Sequence, residues 1–452
     1  MKLTYNVQDK PKVGEILIFA LQQLLAILAA TICVPAQAGI PGGESAALLG
    51  AGVGTLVYLA FTKFRSPVFL GSSFAFINSM AVAYAGAMTA EVFNEALGFA
   101  GIIIGALFAG LVYVVIAIAV KFCGVKWIDK IMPPTVVGPT VAIIGLGLAG
   151  TAVTECFSWA APEHIGNSDF YIMNANAGVS IICALIALFT VMICSVYGKK
   201  TLKLIPYVIG IGAGYLAATV FTLIGRSTGN ASLILIDFDA FKTIQWIPNI
   251  AFIKGFSGLK DLTGDYIATV AVAYIPVAFV VFAEHLADHK NLSSIIEHDL
   301  LEDPGLHRTL LGDGVGSFVG ALFGGCPNTT YGESIACTAV TGNASVITIA
   351  ATAILAIVAS FFGPFVTFLA SIPACVMGGV CFTLYGFIAV SGLKMIQKVD
   401  LGDNRNLFVV SVILIAGVGG LAMAFGKIKL TSVACALILG ILTNLLVSKK
   451  KD

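Results

Sequence analysis

The chain has 452 residues, of which 58% are hydrophobic and 11% charged, and its mean hydropathy is +0.98. Soluble domains carry about 25% charged residues, so a deficit along the whole length excludes a water-soluble globule and marks a polytopic membrane protein. A formal net charge of +1 gives no basis for a nucleic-acid partner.

A helix needs about 20 apolar residues to cross a bilayer. Apolar segments fall near 13–35, 45–62, 67–87, 96–121, 131–153, 176–197, 203–225, 264–288, 307–324, 328–341, 344–369, 372–396, 406–425 and 429–448, fourteen in all. The first run, Ile16–Val34, lacks an A-x-A cleavage site and reads as a retained helix rather than a signal peptide. The 49 glycines suit helices that approach closely or break. The ten cysteines are scattered without a CxxC pair and read as small buried hydrophobes, not as disulfides or metal ligands.

Fourteen crossings place both termini on one side. With that side cytoplasmic, the inner loops carry Lys2, Lys10 and Lys12; Lys63 and Arg65; Lys121, Lys126 and Lys130; Lys199, Lys200 and Lys203; Lys290; Lys394, Lys398 and Arg405; and Lys449, Lys450 and Lys451. The outer stretches 87–95 and 154–175 contain no Lys or Arg, only acids such as Glu91, Glu95, Glu155, Glu163 and Asp169. This is the positive-inside pattern. Lys427 and Lys429 run against it, and the long mixed stretch 226–263 decides nothing.

Two segments lack a helical apolar stripe. Residues 67–78 and 324–333 are rich in Gly, Pro, Ser, Thr and Asn, and each reads as a short extended piece followed by a half-helix, near 79–87 and 334–341. Ser72-Ser73-Phe74-Ala75-Phe76 in the third segment echoes Thr329-Thr330-Tyr331-Gly332-Glu333 in the tenth. Pro133-Pro134-Thr135-Val136-Val137-Gly138 in the fifth echoes Pro373-Ala374-Cys375-Val376-Met377-Gly378 in the twelfth. Both echoes are offset by seven segments, an odd number, so the halves have opposite topology. Such inverted repeats with matching broken helices point to a transporter's binding site. Irregular backbone survives at membrane depth only when it is buried in protein or lines a cavity. Paired strands from the two halves would offer free amides, and the positive ends of two half-helices, to one pocket suited to a flat polar ligand.

Two carboxylates stand in costly places. Glu284 ends the apolar run Tyr266–Ala283, and Glu333 follows the breakers Gly324–Gly332. An acid at the centre of a membrane helix costs about 2.5–3.5 kcal/mol on insertion scales, and such acids face cavities, ion paths or substrates. Phe74 and Tyr331 flank the broken segments as stacking or lid groups, with simple packing as the alternative for Phe74.

The strings Leu21-Gln22-Gln23-Leu24 through Ala29-Ala30-Thr31, Leu70-Gly71-Ser72-Ser73-Phe74-Ala75-Phe76, Ala283-Glu284-His285, Asp303-Pro304-Gly305-Leu306-His307-Arg308 and Pro327-Asn328-Thr329-Thr330-Tyr331-Gly332-Glu333 resemble the nucleobase–ascorbate transporter family in its bacterial uracil permease branch. The resemblance spans nearly the whole chain. It implies an all-α fold of fourteen transmembrane segments in two inverted repeats of seven, with short strands in broken segments 3 and 10. Segments 1–4 (1–125) and 8–11 (263–371) would form a core domain. Segments 5–7 (126–262) and 12–14 (372–452) would form a gate domain through which the protein dimerises. It further implies import of uracil with protons across the bacterial inner membrane, by movement of core against gate, without a cofactor. Carried over, Glu284 and Glu333 hold the pyrimidine ring nitrogens, the backbones of Phe74, Tyr331 and Gly332 meet its carbonyl oxygens, and Ala30 lines the site. The chain departs from the branch at Asp288, where the relative has His, with His289 next. The tenth-segment signature has Asn and Gly where this chain has Ser334 and Ala336.

Uracil is neutral near physiological pH, so driven uptake needs a coupled ion. A carboxylate in a low-dielectric site takes up a proton near neutrality, which makes Glu284 the expected proton carrier. Glu333 follows a glycine at a half-helix start, where the dipole favours negative charge, and reads as a fixed acceptor. Two readings of Asp288 stand: a relay one helical turn from Glu284, or a solvated residue opening the loop at Asp288-His289-Lys290-Asn291. His285 points about 100° round the helix from Glu284 and reads either as a coupling group or as a hydrogen-bonded structural histidine. Rival readings are a transporter of xanthine or another purine, an anion exchanger of the same fold, a channel, and an intramembrane enzyme. The exchanger would want a cation at the site, yet 67–87 and 328–341 contain no Lys or Arg.

Overall fold

The structure is a computed structural model and describes residues 3–89, 92–124, 126–158, 160–165, 168–199, 201–425 and 428–447. Of the charges used for orientation, Lys2, Glu91, Lys200, Lys427, Lys449, Lys450 and Lys451 lie outside the described residues. The chain divides into two compact units, Met1–Gly147 with Pro248–Ser360 and Ile388–Asp452, and Leu148–Ile247 with Phe361–Phe387.

In chain order the elements are α1 (Val13–Gln37), α2 (Gly43–Phe61), β1 (Leu70–Ser72), α3 (Ile77–Ala85), β2 (Met88–Thr89), β3 (Val92–Phe93), α4 (Glu95–Cys123), α5 (Lys126–Ile131), α6 (Pro134–Gly147), α7 (Ala149–Cys156), β4 (Glu163–Ile165), β5 (Ser168–Phe170), α8 (Ala175–Tyr197), α9 (Thr201–Leu204) and α10 (Pro206–Thr228). There follow α11 (Ala251–Gly255), α12 (Gly264–Ile296), α13 (Leu306–Gly324), β6 (Asn328–Thr330), α14 (Gly332–Thr341), α15 (Val346–Ser360), α16 (Gly363–Ala370), α17 (Ala374–Ile396), α18 (Asn404–Val418), β7 (Met423–Phe425), β8 (Ile428–Leu430) and α19 (Ser432–Val447). The protein is predominantly helical. Among the described residues, eight helices are long and apolar enough to cross a membrane, from α1 at the N-terminal end to α17.

Local chemistry sets the helix ends. The Asn94 side chain accepts from the Leu97 amide at 3.1 Å to start α4, and Thr263 does the same for Tyr266 at 3.2 Å to start α12. Gly325 and Gly342, both left-handed, close α13 and α14.

In the first unit, α13 lies against α2 along glycines on both helices. A methyl on Gly54 would stand 2.7 Å from the Gly316 carbonyl oxygen, and one on Gly324 would stand 2.6 Å from that of Ala46. The i, i+4 spacing of Gly50 and Gly54, and of Gly316, Gly320 and Gly324, lets the two backbones touch. The gap also admits the Asn328 side chain from β6, whose Nδ2 donates to the Gly50 carbonyl at 3.0 Å. In the second unit α8 and α10 meet in the same manner, where a methyl on Gly210 would lie 2.9 Å from the Ala187 carbonyl oxygen.

The two broken segments meet inside the first unit. β1 pairs antiparallel with β6 in the register Leu70↔Thr330, Gly71↔Thr329 and Ser72↔Asn328. Two further bonds lengthen the ladder: the Tyr331 amide donates to Phe69 O at 3.2 Å and the Ser73 amide to Pro327 O at 2.9 Å. All six strand residues are buried. Neither segment has the apolar periodicity of a helix, and each satisfies part of its backbone on the other, as the membrane interior demands.

Candidate substrate site

β1 is held from two sides. Thr55 of α2 accepts the Leu70 amide at 2.9 Å, and Ser334 of α14 accepts the Phe69 amide through Oγ at 3.1 Å. Gln23 of α1 donates through Nε2 to the Ser334 carbonyl at 3.2 Å and also bonds the Ser334 hydroxyl. One serine thus ties α1, β1 and α14 together directly behind Glu333. Tyr331 completes the crossing. Its ring lies on Gly71, where a methyl would overlap it, and its hydroxyl donates to Ser72 O at 2.7 Å.

Around this crossing stand the acids. Glu333 is the second residue of α14, next to Gly332, whose Cα faces open space. Glu284 lies within α12, half-buried like Glu333. Asp288 is one turn further along the same helix, which runs on to Ile296. Asp288 is therefore not a loop residue. It is half-buried and accepts a hydrogen bond from Thr330 Oγ1 at 2.7 Å, joining α12 to β6. Ala30 of α1 is buried at 1% exposure. Phe74 is half-buried in the short 3-10 turn Phe74–Phe76 that follows β1.

His285 faces away from this group. It is fully buried, with Nδ1 2.7 Å from Asp313 Oδ2 and Nε2 3.0 Å from Thr309 Oγ1 on α13. It stacks on His289 with ring centroids 4.0 Å apart. His289 donates through Nδ1 to the His285 carbonyl at 2.8 Å, and its Nε2 meets the Tyr58 hydroxyl at 2.7 Å. The link between the two histidines runs through a backbone carbonyl, so their hydrogen bonds form no continuous proton path.

Asp313 is the acid that the sequence reading passed over. It sits in Gly312-Asp313-Gly314 within an otherwise apolar segment, the same signal that marked Glu284. The charged start of α13, at His307 and Arg308, masks that signal. The role of the Thr330 side chain had no signal of its own, because a threonine in a strand is ordinary.

The sequence profile of a permease family, Xan_ur_permease, matches residues 14–425. The chain belongs to that family. The uracil permease of Bacillus caldolyticus is 37% identical over 448 residues, covering 98% of this chain and 95% of the relative. The uracil permease of Bacillus subtilis (strain 168) is 36% identical, covering 100% and 97%, and that of Escherichia coli (strain K12) is 33% identical, covering 96% and 92%. These relatives are permeases, not enzymes, and this chain is a multi-pass bacterial membrane permease. Its fold is similar to that of the murine Solute Carrier 26 family member A9 anion transporter in the inward-facing state, with a TM-score of 0.66 at 15% identity, covering 97% of this chain and 69% of that one. It is also similar to the transmembrane domain of the cyanobacterial bicarbonate transporter BicA, with a TM-score of 0.59 at 15% identity, covering 99% and 100%. At that identity the likeness concerns the fold alone.

Proposed function

We propose that this permease imports uracil by proton symport, with the base held between the β1–β6 crossing and α12. The observation that carries this reading is the Thr330–Asp288 hydrogen bond, which ties α12, the helix of Glu284, to β6, the strand that leads into Glu333. Relatives named as uracil permeases, 33–37% identical over nearly the full length, support the base. Glu333 accepts a ring N–H. The amides at Phe74 and Gly332 serve the carbonyl oxygens, while that of Tyr331, expected to do the same, is already bonded to Phe69 O. Glu284 carries the proton, and Asp288 modulates it by like charge. His285 acts on the coupling through Asp313, by fixing the rotation of α12. Xanthine or another nucleobase is the alternative cargo, because carbonyl oxygens and ring N–H groups are common to these ligands.

The finer architecture belongs to the same reading. Fourteen crossing segments follow if the broken pairs β1–α3 and β6–α14, the less apolar α13 and the shorter helices α15, α18 and α19 count with the eight. Segments 1–4 and 8–11 form the core, and segments 5–7 and 12–14 the gate that dimerises among membrane lipids. Core moves against gate, and both termini are cytoplasmic. Uptake of radiolabelled uracil into cells or proteoliposomes tests the whole reading. Uptake should saturate and collapse with a protonophore. Non-saturable flux would make the protein a channel, and flux indifferent to the proton gradient would remove the symport.

A further inference from the structure

We infer that the N-terminal segment Thr4–Asp9 is a clip that positions α14, and with it Glu333, for substrate binding. The inference rests on the placement of Glu333 in the substrate site. The segment precedes the first membrane helix and is mostly polar, yet it is tied down along its length. The amides of Thr4 and Tyr5 donate to Gly342 O at 2.8 and 3.1 Å. The Ala344 amide donates to Tyr5 O at 2.9 Å and the Val346 amide to Val7 O at 3.0 Å, with Tyr5 and Asn343 forming a parallel bridge. Ser345 Oγ adds a bond to Asp9 O at 2.7 Å.

The target is the far end of the half-helix that carries Glu333. α14 has ten residues, and a helix that short is marginal by itself. Its stability therefore depends on what holds its two ends. The Ser334 node and the β6 ladder hold the first end. The second ends at Gly342, whose left-handed backbone (φ +69°) turns the chain under Thr4. There the N-terminal segment supplies the partners.

The same segment also reaches the other broken segment and α1. Gln8 Nε2 donates to Phe64 O at 2.7 Å, at the start of the loop into β1. Tyr5 donates its hydroxyl to Glu15 Oε2 at 2.9 Å and packs edge-on against Phe19, 6.2 Å between centroids. Six residues thus bind together α1, the approach to β1 and the exit from α14. These are the elements that the Ser334 node joins from the opposite side.

The test compares wild type, a chain lacking residues 3–9, and the double variant Gln8→Ala/Ser345→Ala, each purified in detergent and checked for a monodisperse peak. Amide hydrogen exchange of 334–342 and the Kd for uracil are measured on each, with Glu333→Ala as a reference. The deletion should speed exchange across α14 while leaving mid-α12 amides unchanged, and should weaken uracil binding about tenfold. The double variant, which removes two hydrogen bonds only, should weaken it about two- to threefold and carries the test if the deletion fails to fold. Wild-type exchange across α14 in both variants overturns the clip. Faster exchange with an unchanged Kd overturns the positioning role if Glu333→Ala has lost uracil. If Glu333→Ala still binds uracil normally, the substrate-site reading is what fails.

Discussion

In the first broken segment, β1 leads through the turn Phe74–Phe76 into α3, whereas in the second β6 passes directly into α14. The backbones answer one another across three paired positions, but the side chains divide the work. Phe76 stacks on Tyr274 of α12 with centroids 5.4 Å apart and an interplanar angle of 23°. Ser79 donates to Ala273 O at 2.7 Å. α3 is thereby packed onto α12 and carries no ionisable side chain at the crossing. The second segment reaches α12 through a polar bond instead, Thr330 to Asp288, and carries Glu333 in its first helical turn. A repeat related by inverted topology can thus keep a shared backbone, with one copy serving as wall and the other supplying the chemistry.

That division predicts unequal responses to substitution. Glu333→Ala should abolish uracil binding, since the ring N–H loses its acceptor and a polar pocket is left mispaired. The variant should still insert in the membrane, and wild-type affinity by calorimetry would move the chemistry out of the second segment. Glu284→Gln, which mimics a permanently protonated acid, should lose accumulation against a gradient while still exchanging labelled for unlabelled uracil. Concentrative uptake with normal pH dependence would end its role as proton carrier.

Gly71→Ala probes the wall. The added methyl meets the Tyr331 ring, and overpacking of this kind costs about 1–3 kcal/mol. The thermal midpoint should fall and uracil affinity should weaken together, although the substitution lies in the segment without an acid. Loss of stability with full affinity would show that the two segments act independently. Asp288→Asn is expected to have the smallest effect. Removing a like charge one turn from Glu284 makes proton release there easier, so the optimum of initial uptake rate should shift to more acidic pH at unchanged expression. Superimposable pH profiles would confine Asp288 to its structural bond with Thr330.

Composition alone placed this chain in a membrane, because 11% charged residues cannot solvate the surface of a 452-residue globule. The broken segments were legible too, since Gly, Pro, Ser and Thr at 67–78 and 324–333 leave no apolar stripe for a helix to bury. The half-helices fall close to where the sequence puts them, at Ile77–Ala85 and Gly332–Thr341. Glu284 and Glu333 stood out because charge inside hydrocarbon is costly and rarely incidental. The tertiary structure decided what those residues meet. Leu70 pairs with Thr330 across 260 positions of sequence, and no local preference of either strand encodes its partner. Asp288 and His285 sit three residues apart on α12, and their spacing is compatible with a relay, a loop or a structural pair. Only the packing of α12 between β6 and α13 turns Asp288 toward Thr330 and His285 toward Asp313. Helix periodicity fixes the angle between two side chains, while the neighbour each one finds depends on how separate helices pack, and that information is spread over the whole chain.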